Sequence, residues 1–159
     1  MNFNIKLPEK QFYSILILCS IIILLNSLEV MINVKDISIY NEWIDGINIS
    51  ESPNTEGVNY YQLYLTSNLI YFFIKIIIPM ALGIYTYFAF KYTRVNKIYV
   101  HIWAILLSGN LIHVIIEQKI DSIFYYINIL CYIILITKIL ALSKLIQNSS
   151  IDKRWEWVD

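Results

Sequence analysis

Glycine is nearly missing from this chain: four among 159 residues, all well separated. A loop that cradles phosphate needs several neighbouring glycines, so that backbone N–H groups can approach the anion. Nucleotide chemistry of that kind is excluded. Cysteine and histidine occur only twice each. Cys19 and Cys131 both lie in apolar stretches, at depths expected to differ by about 8 Å at a helical rise of about 1.5 Å per residue. A disulfide needs Cα atoms within about 7 Å of each other. The two cysteines therefore read as small buried apolar side chains, neither bridged nor reactive.

No Ser-His-Asp or Cys-His set falls together, and the signature of two histidines around a glutamate is absent. The chain reads as a non-enzyme with no cofactor. Charge is sparse as well: 12 basic and 12 acidic residues give a formal net charge of zero. A neutral chain offers no electrostatic footprint for nucleic acid.

What is present is apolar. Hydrophobic residues make up 58 % of the chain, gathered into runs at 12–34, 68–90, 98–118 and 123–146. About 20 apolar residues at about 1.5 Å each cross a bilayer core of about 30 Å. The predicted fold is an all-α integral membrane protein, a bundle of four transmembrane helices forming a single membrane domain over 1–159. The first run follows Lys6 and Lys10 as a signal peptide would, but it is too long and no small-x-small cleavage site follows. It reads as a retained span. In the second run Pro79 stands four residues after Lys75; it removes a backbone hydrogen bond and predicts a kink.

Residues 35–66 form the only sizeable loop. It carries Asp36, Glu42, Asp45, Glu51 and Glu56 against a single Lys35, with turn signals at 45–46, 52–54 and 56–57. A short helix or strand fits before the turns. Tyr40, Trp43, Tyr60, Tyr61 and Tyr64 suit a membrane–water interface. Basic residues gather instead at the amino terminus, at Lys91, Arg94 and Lys97, and from Lys138 onward. The positive-inside rule then places both termini in the cytoplasm and the acidic loop outside. The turn at 119–122, with Lys119 and Asp121, is roughly neutral. A cytoplasmic tail at 147–159 ends with Trp155 and Trp157, a membrane-surface anchor. Heavy use of Ile, Asn, Lys and Tyr points to an AT-rich coding bias, hence a bacterial, multi-pass protein of the cell membrane.

The polar residues inside the runs are not scattered. At about 100° per residue, Trp103, Leu106, Asn110, His113 and Glu117 share one face within about 80° of arc. Cys19, Ile22, Asn26, Glu29 and Asn33 share another. So do Asn68, Tyr71, Lys75, Leu82 and Thr86 in the second run, and Phe124, Asn128, Cys131, Tyr132 and Leu135 in the fourth. Polar groups in lipid turn toward protein or a water-filled cavity. With the topology above, Asn26, Glu29, Lys75, Asn110, His113, Glu117 and Asn128 all fall in the outer third of the membrane. They predict an outward-facing polar cavity floored by Ile22, Leu82, Trp103, Leu106 and Leu135.

The plainest account of these residues is structural: a Glu29–Lys75 ion pair fixing helix register, and asparagines bonded between helices. Lys75 could alternatively snorkel to the outer headgroups. The functional account counts charge. Glu29 and Glu117 against Lys75 leave a negative balance, His113 carries the side chain whose ordinary pKa lies nearest neutrality, and Tyr71, Trp103 and Tyr132 offer aromatic faces to a cation. The expectation is a small protein that binds a ligand or a membrane-protein partner through its cavity and acidic loop, in an accessory, sensor or self-protection role. The alternative is one protomer of a homo-oligomeric transporter for small solutes or cations. A third possibility, an intramembrane metalloenzyme, would draw zinc ligands from His113, Glu117 and Glu29.

Overall fold

A segment immersed in lipid has no water to satisfy its backbone, so an apolar run of this length is driven into helix. The computed structural model describes residues 6–46, 59–92, 95–117 and 122–155, with side chains described as far as 147. Among the described residues every element is a helix: α1 (Glu9–Lys35), α2 (Ile37–Gly46), α3 (Tyr60–Lys91), α4 (Lys97–Ile116) and α5 (Ile123–Trp155). Four of them, α1, α3, α4 and α5, are long and apolar enough to cross a membrane.

The helix starts are chemically marked. Asn59 accepts a hydrogen bond from Gln62 N–H at 3.1 Å, and Asn96 accepts one from Tyr99 N–H at 2.8 Å. Each satisfies a backbone donor that the first turn of a helix leaves without a partner. The short helix or strand expected before the turns is the helix α2. The boundaries differ from the sequence expectation at two places. The α3 helix begins at Tyr60, well before the apolar run. At the other end α5 continues through the expected tail to Trp155. In both extensions polarity marks where the membrane would stop, but no Gly or Pro stops the helix. The expected turns at 52–54 and 56–57, the 119–121 part of the last turn, Arg94 and Trp157 lie outside the described residues.

The long helices pair antiparallel: α1 packs on α3 and α5, and α4 packs on α5 and α3. Phe12 stacks on Phe90 with ring centroids 4.2 Å apart, and at the other end Tyr64 donates its hydroxyl to the Asn33 carbonyl at 2.7 Å. Thr86 and the Tyr99 hydroxyl, 3.0 Å apart, tie α3 to α4. Between the helices lies an apolar core that includes Ile15, Ile22, Leu82, Leu107, Leu135 and Ile139, all fully buried. Cys19 and Cys131 are both buried and both free.

The exterior is inverted relative to a water-soluble protein. Ile17, Leu24, Ile77, Ile84, Ile105 and Leu130 stand more than half exposed, while Asn26, Glu29, Lys75, Thr86, Asn110 and Asn128 are buried. Soluble monomers rarely expose apolar surface on this scale. Lipid is the solvent that suits it.

One packing detail is directly testable. A Cβ placed on Gly83 would lie 3.8 Å from Cys19 Cβ, an ordinary van der Waals contact. Alanine there should stabilise the protein by roughly 0.5–1 kcal/mol, the usual glycine penalty in a helix interior. Thermal melting of Gly83→Ala in detergent checks this, and a lowered melting temperature would show that α1 and α3 approach more closely.

Candidate functional site

Every long helix contributes to one residue, Lys75. Its ammonium Nζ lies 3.3 Å from Glu29 Oε2 on α1 and 2.6 Å from Glu117 Oε2 at the end of α4. Lysine in an apolar environment must be neutralised or displaced toward water, and here two carboxylates reach it from two helices. Glu117 caps the C-terminal end of α4, where the helix dipole disfavours an acid. The ammonium offsets that.

The same residue is held from its backbone side. Pro79 has no N–H, so the carbonyl four residues earlier, that of Lys75, loses its intrahelical partner. The helix nonetheless runs on through Pro79. Asn110 Nδ2 donates to the Lys75 carbonyl at 3.1 Å and to the Tyr132 hydroxyl at 2.7 Å, and that hydroxyl donates to the same carbonyl at 3.2 Å. The triangle joins α3, α4 and α5 through the group that the proline orphaned. Next to it Asn128 donates to Asn26 Oδ1 at 3.1 Å, and Asn26 donates back to its own helix at Ile22 O. That pair ties α5 to α1.

Above the ion cluster, on the side of α2, lies a cavity of about 300 Å³. Glu29, Lys75 and Glu117 line it, with Trp43 and Ile39 of α2, Asn33, and Tyr64, Asn68, Tyr71 and Phe72 of α3. A second cavity of about 520 Å³, on the α5 side of α2, again includes Glu29 and adds Glu42, Ser122 and Phe124. The α2 helix thus rides between two cavities that share one glutamate. It is held by aromatic contacts of Tyr40 with Tyr61 and Tyr64, and of Trp43 with Tyr64 at 5.4 Å. Its first turn is pinned by Asp36, whose carboxylate accepts from the Ser38 hydroxyl at 2.6 Å and from Ser38 N–H at 2.9 Å. Those bonds hold the Asp36 carboxyl below its ordinary range.

Of the residues singled out from the sequence, Glu29, Lys75 and Glu117 meet at the cavity, and Tyr71 lines it while half exposed. Asn26, Asn110, Asn128 and Tyr132 join the buried bonds outside the cavity lining. Three residues are displaced from their expected places. Trp103 meets the Tyr85 ring at a tilt and the Tyr99 ring edge-on, outside the cavity lining, and Leu106 is 40 % exposed. His113 faces a groove between α3 and α4 lined by Phe73, Ile77, Leu106 and Gly109. The buried face of α4 is Val100, Leu107, Asn110 and Val114, rotated from the one that its polar residues suggested. The sequence reading placed Asn33 and Asn68 on the polar faces and Trp43 and Tyr64 at the membrane surface, but assigned none of the four to the cavity that they line. For Trp43 the signal was the helical spacing of Ile39, Tyr40, Trp43 and Ile44, which marks an amphipathic helix inside the acidic segment.

A zinc site does not fit this arrangement. The Lys75 ammonium stands within reach of both carboxylates, where a metal would have to sit. Among the described residues no group of three His, Cys, Asp or Glu side chains could hold a metal ion. No family model, curated protein or solved structure matches the chain.

The cluster predicts an order of mutational cost. Lys75→Met strands two carboxylates in a buried site and should cost the most, about 3–5 kcal/mol. Glu29→Gln leaves the one-to-one pair of Lys75 with Glu117 and should cost clearly less. Melting in detergent reads both, and equal costs would mean that Glu117 does not share the lysine. The carbonyl triangle makes a second prediction. Asn110→Leu should lose stability in the natural chain and less in a Pro79→Ala background, where a backbone N–H is restored. Strict additivity in that double-mutant cycle would show that the proline and the asparagine are not coupled.

Proposed function

We propose that this chain is a non-enzymatic multi-pass membrane protein that holds the cationic group of a ligand or partner protein in the cavity beneath α2. The observation that carries the reading is the composition of that cavity: two carboxylates against one ammonium, walled by Trp43, Tyr64 and Tyr71. An ammonium or guanidinium group entering there finds negative charge at the floor and aromatic faces at the sides. Accessory, sensor and self-protection proteins all operate by such recognition.

Beyond the polar layer the interior is apolar, with Ile22, Leu82, Leu107 and Leu135 fully buried. That layer favours holding a guest over conducting one, so binding is preferred to a transport protomer. Lipid bilayer and a membrane-protein partner are the expected surroundings, in the cell membrane of a bacterium. The cavity lies at the end of the helices that carries Asp36, Glu42 and Asp45, opposite Lys6, Lys10, Lys91 and Lys97. By the positive-inside rule that end is external and both termini are cytoplasmic.

Two measurements test this. With Cys19 and Cys131 replaced by alanine, single cysteines at Ser52 and at Asn96 should differ on intact cells: an impermeant thiol reagent should label the first and spare the second. The reverse pattern would place the cavity inside. For binding, butylammonium should associate saturably with the reconstituted protein and lose about tenfold or more in affinity in Glu117→Gln, the loss of one charge-assisted contact. Absence of saturable binding to the natural chain would sink the reading.

A further inference from the structure

Beside the cavity, a groove of about 540 Å³ runs between α3 and α4 on the outer surface of the bundle. Phe73, Ile74 and Ile77 wall it on α3, and Ile105, Leu106 and Gly109 on α4. The seam between these two helices is thinner than that of α1 with α3 or of α4 with α5. Gly109 keeps it open: among the described residues, a Cβ built there meets nothing within 4 Å beyond its own stretch of helix. Glycine is the least favourable helix residue after proline, and no close approach of a described neighbour calls for one at this position.

The groove and the cavity adjoin. Phe73 of the groove follows Phe72 of the cavity, with ring centroids 5.5 Å apart. On α4, His113 of the groove has its Nδ1 3.7 Å from Oε1 of Glu117, which lines the cavity. That distance is too long for a hydrogen bond, and the Lys75 ammonium is held by the other oxygen, Oε2. A carboxylate acceptor thus stands where apolar groove meets polar cavity. From Glu117 to Gly109 the distance is about 12 Å along α4, toward the middle of the span.

We propose that the guest of the cavity is a straight-chain aliphatic amine dissolved in the bilayer, its ammonium at Glu117 and its alkyl tail along the α3–α4 groove. The proposal rests on the reading of the cavity as a site for cationic groups, and it gives that guest a tail. An amphiphile in a leaflet keeps its charge at the membrane surface and its tail toward the midplane. The site has the same polarity along the same axis, with an acceptor at the helix end and apolar walls below it. The guest therefore exchanges lipid neighbours for protein ones without turning over, and its tail never crosses water. Length becomes a criterion: a butyl tail ends before Gly109, and a dodecyl tail reaches it. Bulk lipid or a helix of a second copy would also fill an apolar groove, but neither would be displaced by a small amine in the cavity.

The test uses the full chain in phosphatidylcholine nanodiscs, with binding heats corrected for partition into empty discs. Dodecylammonium and butylammonium are titrated into the natural chain and into Gly109→Leu, whose side chain fills the groove. Dodecylammonium should lose about tenfold or more in Gly109→Leu, the cost of leaving about two methylenes outside apolar surroundings. Butylammonium should change by less than about twofold, as for a substitution remote from its site. A second readout uses the natural chain alone. A nitroxide at the end of the dodecyl tail should saturably broaden the methyl NMR signals of Ile77 and Ile105. Leu24 on α1 and Leu130 on α5, also more than half exposed, should broaden less. Excess butylammonium should reverse the difference. Unchanged dodecylammonium affinity in Gly109→Leu, or an equal loss for both amines, overturns the proposal, while butylammonium binding to the natural chain keeps the cation site. Broadening shared equally by all four residues marks contact with bulk lipid and overturns it too. So does a changed oligomeric state in Gly109→Leu with dodecylammonium affinity kept, which marks a second copy in the groove. Saturable binding of neither amine ends the cation-site reading, and the proposal with it.

Discussion

A primary ammonium inside an apolar segment has to be neutralised, and the arrangement of this protein follows from how Lys75 is neutralised. Its charge fixes α1 and α4 to α3 through Glu29 and Glu117. Its carbonyl, freed by Pro79, fixes α4 and α5 to α3 through Asn110 and Tyr132. One residue thus presents a charged group at one end and a backbone acceptor at the other, and three neighbouring helices answer. Either group alone in hydrocarbon would cost several kcal/mol. Leaving both unanswered is not compatible with a stable span, so the register of all four helices is constrained at one level.

That level divides the interior. On the α2 side it opens into a cavity lined by the ion cluster and by Trp43. On the other side the core closes with fully buried Ile, Leu and Val side chains. The proposed recognition of a charged group would use this asymmetry: access from one side and a preorganised set of charges below. The cost of assembling two acids and one base is met by the carbonyl triangle and by the asparagine pair, which stabilise the layer without entering the cavity. Those residues hold the layer in place and lie outside the cavity lining.

Much of this was legible in the sequence because lipid imposes strict rules. Four apolar runs of bilayer length became four long helices, and the burial of Asn26, Glu29, Lys75, Asn110 and Asn128 followed from the cost of exposing them to hydrocarbon. The meeting of Glu29 with Lys75 was legible too, because their depths match. The rotation of α4 was not. Polar residues at 103, 110, 113 and 117 mark an average direction, but Trp103 and His113 tolerate an edge position: one meets the Tyr85 and Tyr99 rings at a tilt and edge-on, the other borders a groove. Packing of Val100, Leu107 and Val114 decides the rotation, and aliphatic residues on a helix that is apolar all round carry no directional signal. The α2 helix was legible only as a short helix or strand ahead of the turns, because ten residues with two acids and a closing Asp-Gly leave the two periods hard to tell apart. The partners of the Lys75 carbonyl escaped because sequence shows which hydrogen bond a proline removes, not which side chains replace it.

The convergence on Lys75 can be measured directly. With lysine labelled by nitrogen-15 at Nζ and glutamate by carbon-13 at the carboxyl, solid-state NMR in lipid reads the dipolar couplings of the Lys75 ammonium, assigned by difference against Lys75→Met. Two carboxyl carbons within about 4 Å, the span of a direct ion pair, are predicted. One of the two couplings should vanish in Glu117→Gln and the other in Glu29→Gln. An ammonium coupled to neither glutamate would contradict the account, because α1 and α4 would then not be joined to α3 through its charge.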